Sequence, residues 1–274
     1  FPQDAIDIVD WEGKYNKLSE ESADDNQQDD ETGKHKGKTD RYNYAFWIKR
    51  DFEKVKRLLK SPEPYLYPRT TFSLYPSIGE LSKFLTETKG QSLFLDIETD
   101  LNQNITCIGV GFDLSRILVI PILSYNYTPA YSNLGKVFRA LAIAMRDNEV
   151  VCHNTLFDLF ILAWKYQVPV GHKIYDTMLA HHRCWPEVEK SLGHAMSHLC
   201  YEPYHKDTGV FLPQNSDQQR KLWEYNANDV RGTMLVKIAL DKYASAVRGL
   251  SESIAQVNSS IRGDLINTLQ GIRF

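Results

Sequence analysis

The sequence predicts an α/β protein, a mixed five-stranded sheet with helices on both faces. Three observations carry this expectation. Short apolar runs rich in β-branched residues recur from residue 92 onward, and longer stretches with apolar side chains at helical spacing lie between and after them. The order is a meander of strands first and strands alternating with helices afterwards, which is the order of a mixed sheet covered on both sides.

Residues 92–97 (SLFLDI) form the first buried strand. Residues 105–112 (ITCIGVGF) and 116–122 (RILVIPI) are two more, and the tight Asp113-Leu114-Ser115 connection makes them a hairpin. Residues 134–146 have helical spacing, and 149–152 form a short fourth strand. An apolar helix over 156–166 ends before Val168-Pro169, since the residue ahead of a proline is pushed out of the helical region. Residues 173–175 form the fifth strand. The remainder reads as helix over 177–182, 190–199 and 217–243, with a further helical region beyond Tyr243. Upstream, Phe46, Val55, Leu58 and Leu59 sit at helical spacing within residues 42–59. No internal repeat is visible.

Composition bounds the rest. The chain has 274 residues, 42% hydrophobic and 24% charged, which suits a globular protein with a sizeable core. A formal net charge of -3 excludes a uniformly basic nucleic-acid coat but not a nucleic-acid substrate, because carboxylates gathered in one site offset basic groups elsewhere. The four cysteines, Cys107, Cys152, Cys184 and Cys200, lack paired spacing, so a reducing, intracellular setting is expected, cytoplasmic or nucleoid. No apolar run is long enough to span a bilayer, and no signal-peptide pattern opens the chain. The first residue is Phe1 rather than Met, so a piece of a longer protein is expected. Residues 19–40 contain a single apolar residue, Ala23, and read as a disordered tether, with an acidic mimic of nucleic acid as the lesser reading. The expected organisation is therefore an N-terminal extension over 1–71, a main domain over 72–245 and a helical connector over 246–274.

Acidic residues stand in three places where a core pattern would not want them. Asp96 and Glu98 end the first apolar strand and, two residues apart, point to the same face. Two carboxylates there repel unless a cation lies between them; an ordinary polar strand end is the plainer reading. Asp158 lies in the first turn of the helix after His153-Asn154, where it would also suit the helix dipole. Tyr225 and Asp229 are four residues apart in the long helix and so share a face, which could equally be a solvated one.

Together the three are more specific. D-x-E, then N-x-x-F-D about 60 residues on, then Y-x-x-x-D about 70 beyond, on strand, helix and helix, resembles the DEDD superfamily of 3′→5′ exonucleases. The tyrosine four residues before the last aspartate matches its tyrosine subclass. Tyr175-Asp176-Thr177-Met178 and Ser191-Leu192 resemble smaller features of the same family, and the likeness covers roughly residues 72–243.

The resemblance implies an RNase H-like arrangement of the sheet and two-metal hydrolysis of phosphodiesters, releasing nucleoside monophosphates. Asp96, Glu98, Asp158 and Asp229 would hold two Mg²⁺ or Mn²⁺ ions, with Asp96 as the bridge, and Tyr225 and Glu98 would orient the attacking water. Hard oxygen ligands favour magnesium over zinc. Thr99 and Asn154 would contact the terminal nucleotide, Phe157 and Leu101 would pack on its base, and Asp176 is read as structural.

The Asp96-Ile97-Glu98-Thr99-Asp100 string looks like that of the proofreading domain of family A, polymerase I-like DNA polymerases. The Gly271-Ile272-Arg273-Phe274 ending resembles the segment that opens their polymerase part. The resemblance thus implies a single-stranded 3′ end of DNA as substrate, a polymerase domain further along the same longer chain, and a bacterial or phage source. The alternative is an RNase D-like exoribonuclease using the same site, because contacts to the 2′-hydroxyl are not written in these motifs. A binding module with a decayed site is disfavoured by the presence of all four carboxylates and the tyrosine. A zinc site from Cys184, His194, His198 and Cys200 is set aside for want of paired cysteines. Trp185, Trp223, Tyr201 and Tyr204 are read as core or hinge aromatics, and Lys190, Lys206, Arg220, Lys221 and Arg231 as cations that could meet phosphates.

Overall fold

Alternation along the first apolar strand divides the core in two. Leu93, Leu95 and Ile97 enter one cluster of buried side chains and Phe94 enters another, so the strand, Ser92–Thr99, is covered on both faces. The computed structural model describes residues 48–49, 51–56, 59–60, 69–200 and 210–271, all within the compact unit Tyr42–Phe274.

In chain order the elements are β1 (Thr71–Leu74), α1 (Ile78–Glu87), β2 (Ser92–Thr99), β3 (Ile105–Asp113), β4 (Arg116–Pro121), α2 (Leu134–Asp147), β5 (Glu149–Cys152), α3 (Thr155–Tyr166), β6 (Lys173–Asp176), α4 (Thr177–Cys184), α5 (Leu192–Leu199), α6 (Ser216–Ala246) and α7 (Leu250–Gly271). The sheet has six strands in the order β1-β4-β3-β2-β5-β6. β2, β3 and β4 form the antiparallel meander, and β5 and β6 add in parallel beyond β2. The mixed α/β architecture expected from the sequence is present.

The sheet gains one strand over the expected five. β1 is four residues long and pairs only at the edge, parallel to β4. Its sequence TFSL has no run of apolar residues, because an edge strand contributes less to the core than a central one. Helix α1 was likewise unmarked. Leu81 and Leu85, one turn apart, are its buried anchors, and the Ser77 hydroxyl accepts the Glu80 N–H at 3.2 Å to cap it.

Helices α1 and α2 pack together on the face that carries Leu93 and Leu95. On the other face α6 lies across β2, β3 and β4. Its approach is close because a Cβ at Gly111 would stand 2.5 Å from the Met234 methyl. The region beyond residue 246, expected as a connector, carries α7, which packs against β6, α3 and α4. Ile254, Ile261 and Leu265 are buried there.

The tether expected over 19–40 lies outside the described residues, as do Tyr201, Tyr204, Lys206 and residues 272–274. Of the helical stretch expected over 42–59, residues 48–49, 51–56 and 59 are helical, and the others lie outside the described residues. Among the described residues, no helix is long and apolar enough to cross a membrane.

Candidate active site

The site begins at the C-terminal end of β2. Asp96 is paired across the sheet with Gly109 and Glu98 with Cys107, and the register shifts immediately after Glu98. Parity places both carboxylates on the face that α6 covers. From that helix Asp229 projects towards them. Single carboxylate oxygens of Asp96, Glu98 and Asp229 all lie within 4.8 Å of one another, and among the described residues this is the one such group of three. Tyr225, one turn earlier on α6, is buried on the same helix.

Asp158 comes from the opposite layer. It is buried in the first turn of α3, and its Oδ1 accepts the Ile97 N–H at 2.9 Å, on the backbone between Asp96 and Glu98. Burial first, and the neighbouring Asp96 charge second, push its carboxyl well above the usual range, while the Ile97 N–H works against them. Asp158 is thus tied to the strand that carries the other acids, and it repels Asp96. Three separated segments, the end of β2, the first turn of α3 and the middle of α6, meet here. Hard oxygens crowded this closely fit a divalent cation, which would offset their mutual repulsion.

The residues expected at the substrate end are placed as follows. Asn154 ends the turn after β5 in the left-handed region (φ 72°, ψ 55°), a conformation Asn tolerates better than most residues. Phe157 is exposed on the first turn of α3, and Leu101 is exposed in the turn after β2. Thr99 closes β2 and is half-buried. Asp100 shapes the Leu101 turn, accepting the N–H groups of Asn102 and Asn104 at 2.8 Å each. Burial would raise its carboxyl, but these bonds and the Asn104 amide outweigh that and lower it.

Asp176 ties two helices to the end of β6. One oxygen accepts the N–H groups of Met178 at 2.8 Å and Asn154 at 3.2 Å, and the other accepts Thr155 N–H at 2.8 Å. A single buried carboxylate therefore caps α4 and holds the start of α3, which fixes where Asp158 stands. His153 adds a second tie, bonding Thr177 Oγ1 at 2.9 Å and the Lys190 carbonyl at 2.7 Å.

Two residues of the site went unnoticed in the sequence. Phe211, half exposed ahead of α6, sets its ring edge-to-face on Tyr225 with centroids 5.5 Å apart. Asn226 is fully buried and donates from Nδ2 to Asp96 Oδ2 at 2.7 Å and to the Asp96 carbonyl at 3.2 Å. Its only signal was a polar residue on the core-facing side of a helix, beside a tyrosine that already drew the eye.

The residues weighed for zinc are placed as follows in the helices: His194 and His198 share α5, and Cys184 ends α4. His198 Nδ1 meets His181 Nε2 at 3.0 Å, whereas His194 Nδ1 faces Glu189 at 2.7 Å, so the two histidines serve different partners. None of the four cysteines is in a disulfide. Burial pushes the Cys184 thiol up to about 11, so it is not a ready ligand. Trp185 and Trp223 sit in packed aromatic contacts, with Tyr243 and Tyr75 respectively. Arg220 pairs with Glu224 at 3.0 Å.

No family model matches the chain. No curated protein matches it either. Solved structures do. NrnC from Brucella melitensis bound to pGG aligns with 18% identity and a TM-score of 0.53, over 74% of this chain and 93% of that one. The same protein with bound Mg²⁺ aligns with 18% identity and a TM-score of 0.50, over 74% and 94%. The catalytic core of RRP6 from Trypanosoma brucei, in a C-to-S mutant form, aligns with 15% identity and a TM-score of 0.54, over 76% and 57%. At such identities the likeness is one of fold, and the fold is the RNase H-like exonuclease fold.

Proposed function

We propose that this chain is a metal-dependent 3′→5′ exonuclease that shortens a single-stranded nucleic acid from its 3′ end. The observation that supports it most is the meeting of Asp96, Glu98 and Asp229 oxygens within 4.8 Å, beside buried Asp158 and with Tyr225 one helical turn from Asp229.

In this reading Asp96, Glu98 and Asp229 hold Mg²⁺ or Mn²⁺, two ions in all, with Asp158 completing the set from α3. Cations bound there supply Lewis-acid stabilisation of phosphodiester charge and ease deprotonation of a water. The Tyr225 phenol, steadied by the Phe211 ring, orients the attacking water together with Glu98. Asn154 and Thr99 meet the terminal nucleotide, and Phe157 and Leu101, exposed on their turns, offer apolar surface to its base.

Of the two substrates, RNA is the better supported, which favours the RNase D-like reading. NrnC, which carries pGG and Mg²⁺ in its structures, is spanned over 93% of its length by this fold, so such a domain needs no polymerase attached to it. The proofreading reading rests on the Asp96–Asp100 string and the terminal Gly-Ile-Arg-Phe, most of which lies outside the described residues.

The test uses 5′-labelled RNA and DNA single strands of one sequence with Mg²⁺. A ladder of products shortened one nucleotide at a time from the 3′ end is expected, faster on RNA and stopped by EDTA. Degradation of DNA alone would restore the proofreading reading. Undiminished cleavage in EDTA, or none with any metal, would overturn the function.

A further inference from the structure

The geometry points to Asn226 as the positioning residue that sets Asp96 for metal binding. This rests on the nuclease reading above but concerns a residue outside its motifs. A carboxylate that would hold a cation must keep one rotamer, because a small misdirection of its oxygens costs binding. Asn226 meets that need with one amide group. Its Nδ2 donates to Asp96 Oδ2 at 2.7 Å and to the Asp96 backbone carbonyl at 3.2 Å, so side chain and strand are held by the same donor.

Three further observations separate this from ordinary packing. Asn226 is fully buried, yet its Oδ1 has no hydrogen-bond partner. Burying an unpaired carbonyl oxygen destabilises a fold, so the amide is poorly explained as filler. The sheet also makes room for it: Gly109 is paired directly with Asp96, and a Cβ there would stand 2.5 Å from Asn226 Oδ1. Finally, the same helix carries Tyr225 and Asp229, so one turn of α6 delivers the phenol, the clamp and a carboxylate in a fixed relation.

The apolar isostere Asn226→Leu keeps the volume and removes both donations. Mn²⁺ binding to the whole chain, without nucleic acid, is measured by calorimetry. Thermal melting with EDTA and the Mn²⁺ concentration that half-saturates cleavage are measured alongside. The expected result is Mn²⁺ affinity down by about tenfold or more, a matching rise in half-saturating Mn²⁺, kcat lowered more than KM, and melting no lower than wild type. Asn226→Ala should show the same loss of affinity if the leucine variant does not fold. Gly109→Ala should reproduce it with Asn226 still present but displaced. Mn²⁺ affinity within twofold of wild type in a folded Asn226 variant would overturn the inference, as would lowered melting with unchanged affinity. Wild type that binds Mn²⁺ yet leaves every strand intact would remove the nuclease reading alone, with calorimetry still deciding the role of Asn226. Wild type that binds no Mn²⁺ would remove both.

Discussion

Asp158 shows how a single side chain acquires its role from what surrounds it. Alone it is an acid in a helix's first turn; placed against the Ile97 N–H and beside Asp96, it becomes part of a site. The same reasoning sets the expected outcome of removing its neighbours. Asp96→Ala or Asp229→Ala should abolish 3′ shortening in a gel assay while melting stays level or rises, because each deletion relieves repulsion among crowded carboxylates. A drop in melting with residual activity would show those acids to be structural. Tyr225→Phe removes one hydroxyl from a buried ring. Its kcat should fall by about a hundredfold with KM changed only a few-fold, as for loss of a group that orients a proton transfer. Steady-state kinetics on a labelled strand would decide it.

At the scale of elements, the site depends on how α3, α4 and β6 are tied together. Asp176 ends β6, caps α4 and receives the Asn154 and Thr155 N–H groups at the start of α3. Asp176→Ala should lower unfolding stability by about 2–3 kcal/mol, a lost cap plus buried N–H groups left unpaired. It should also weaken activity more than an equally destabilising change in α1, since only the former loosens Asp158; urea denaturation beside activity separates the two. The α6 contact is equally specific. Gly111→Val would drive side-chain atoms into Met234 and Ile117, with a cost of about 1–3 kcal/mol from overpacking.

The whole molecule has an acid-sensitive point away from the carboxylates. His181, buried between α4 and α5 and bonded to His198, is held at about 4 by burial, with His153, His182 and His194 adding to it. Unfolded, it protonates near 6.5. Between those values the unfolded chain binds the extra proton, so this contribution is complete above 6.5 and lost as pH falls towards about 4. By pH 5 the loss should be about 2 kcal/mol, seen as a lower urea midpoint whose pH slope flattens in His181→Leu. Helix α7 is a second point of dependence. Ile254, Ile261 and Leu265 are almost wholly buried against the rest, about 1.5–3 kcal/mol each. Truncation after Arg248 should therefore leave a chain without a cooperative thermal transition.

Much of this was legible in the chain itself, for reasons tied to local periodicity. The short apolar run SLFLDI identified β2, and the two-residue step from Asp96 to Glu98 put both on one face; the four-residue step from Tyr225 to Asp229 put both on one side of a helix, and ordered motifs linked them to Asp158. Short β1 escaped because an edge strand displays little apolar contrast; α1 went unread although Ile78, Leu81, Phe84 and Leu85 stand at helical spacing on its buried side. Asn226, Gly109 and Phe211, and the partners that make Asp176 a hub, were not legible in the sequence. Each matters through partners tens of residues away: an amide against Asp96, a missing Cβ that admits it, a ring on Tyr225, one carboxylate shared by two helices. The sequence by itself determined which elements form and which faces carry acid. Only the tertiary structure decided how closely those faces approach, because hydrogen bonds and steric contacts act over a few ångströms and have no signature along the chain.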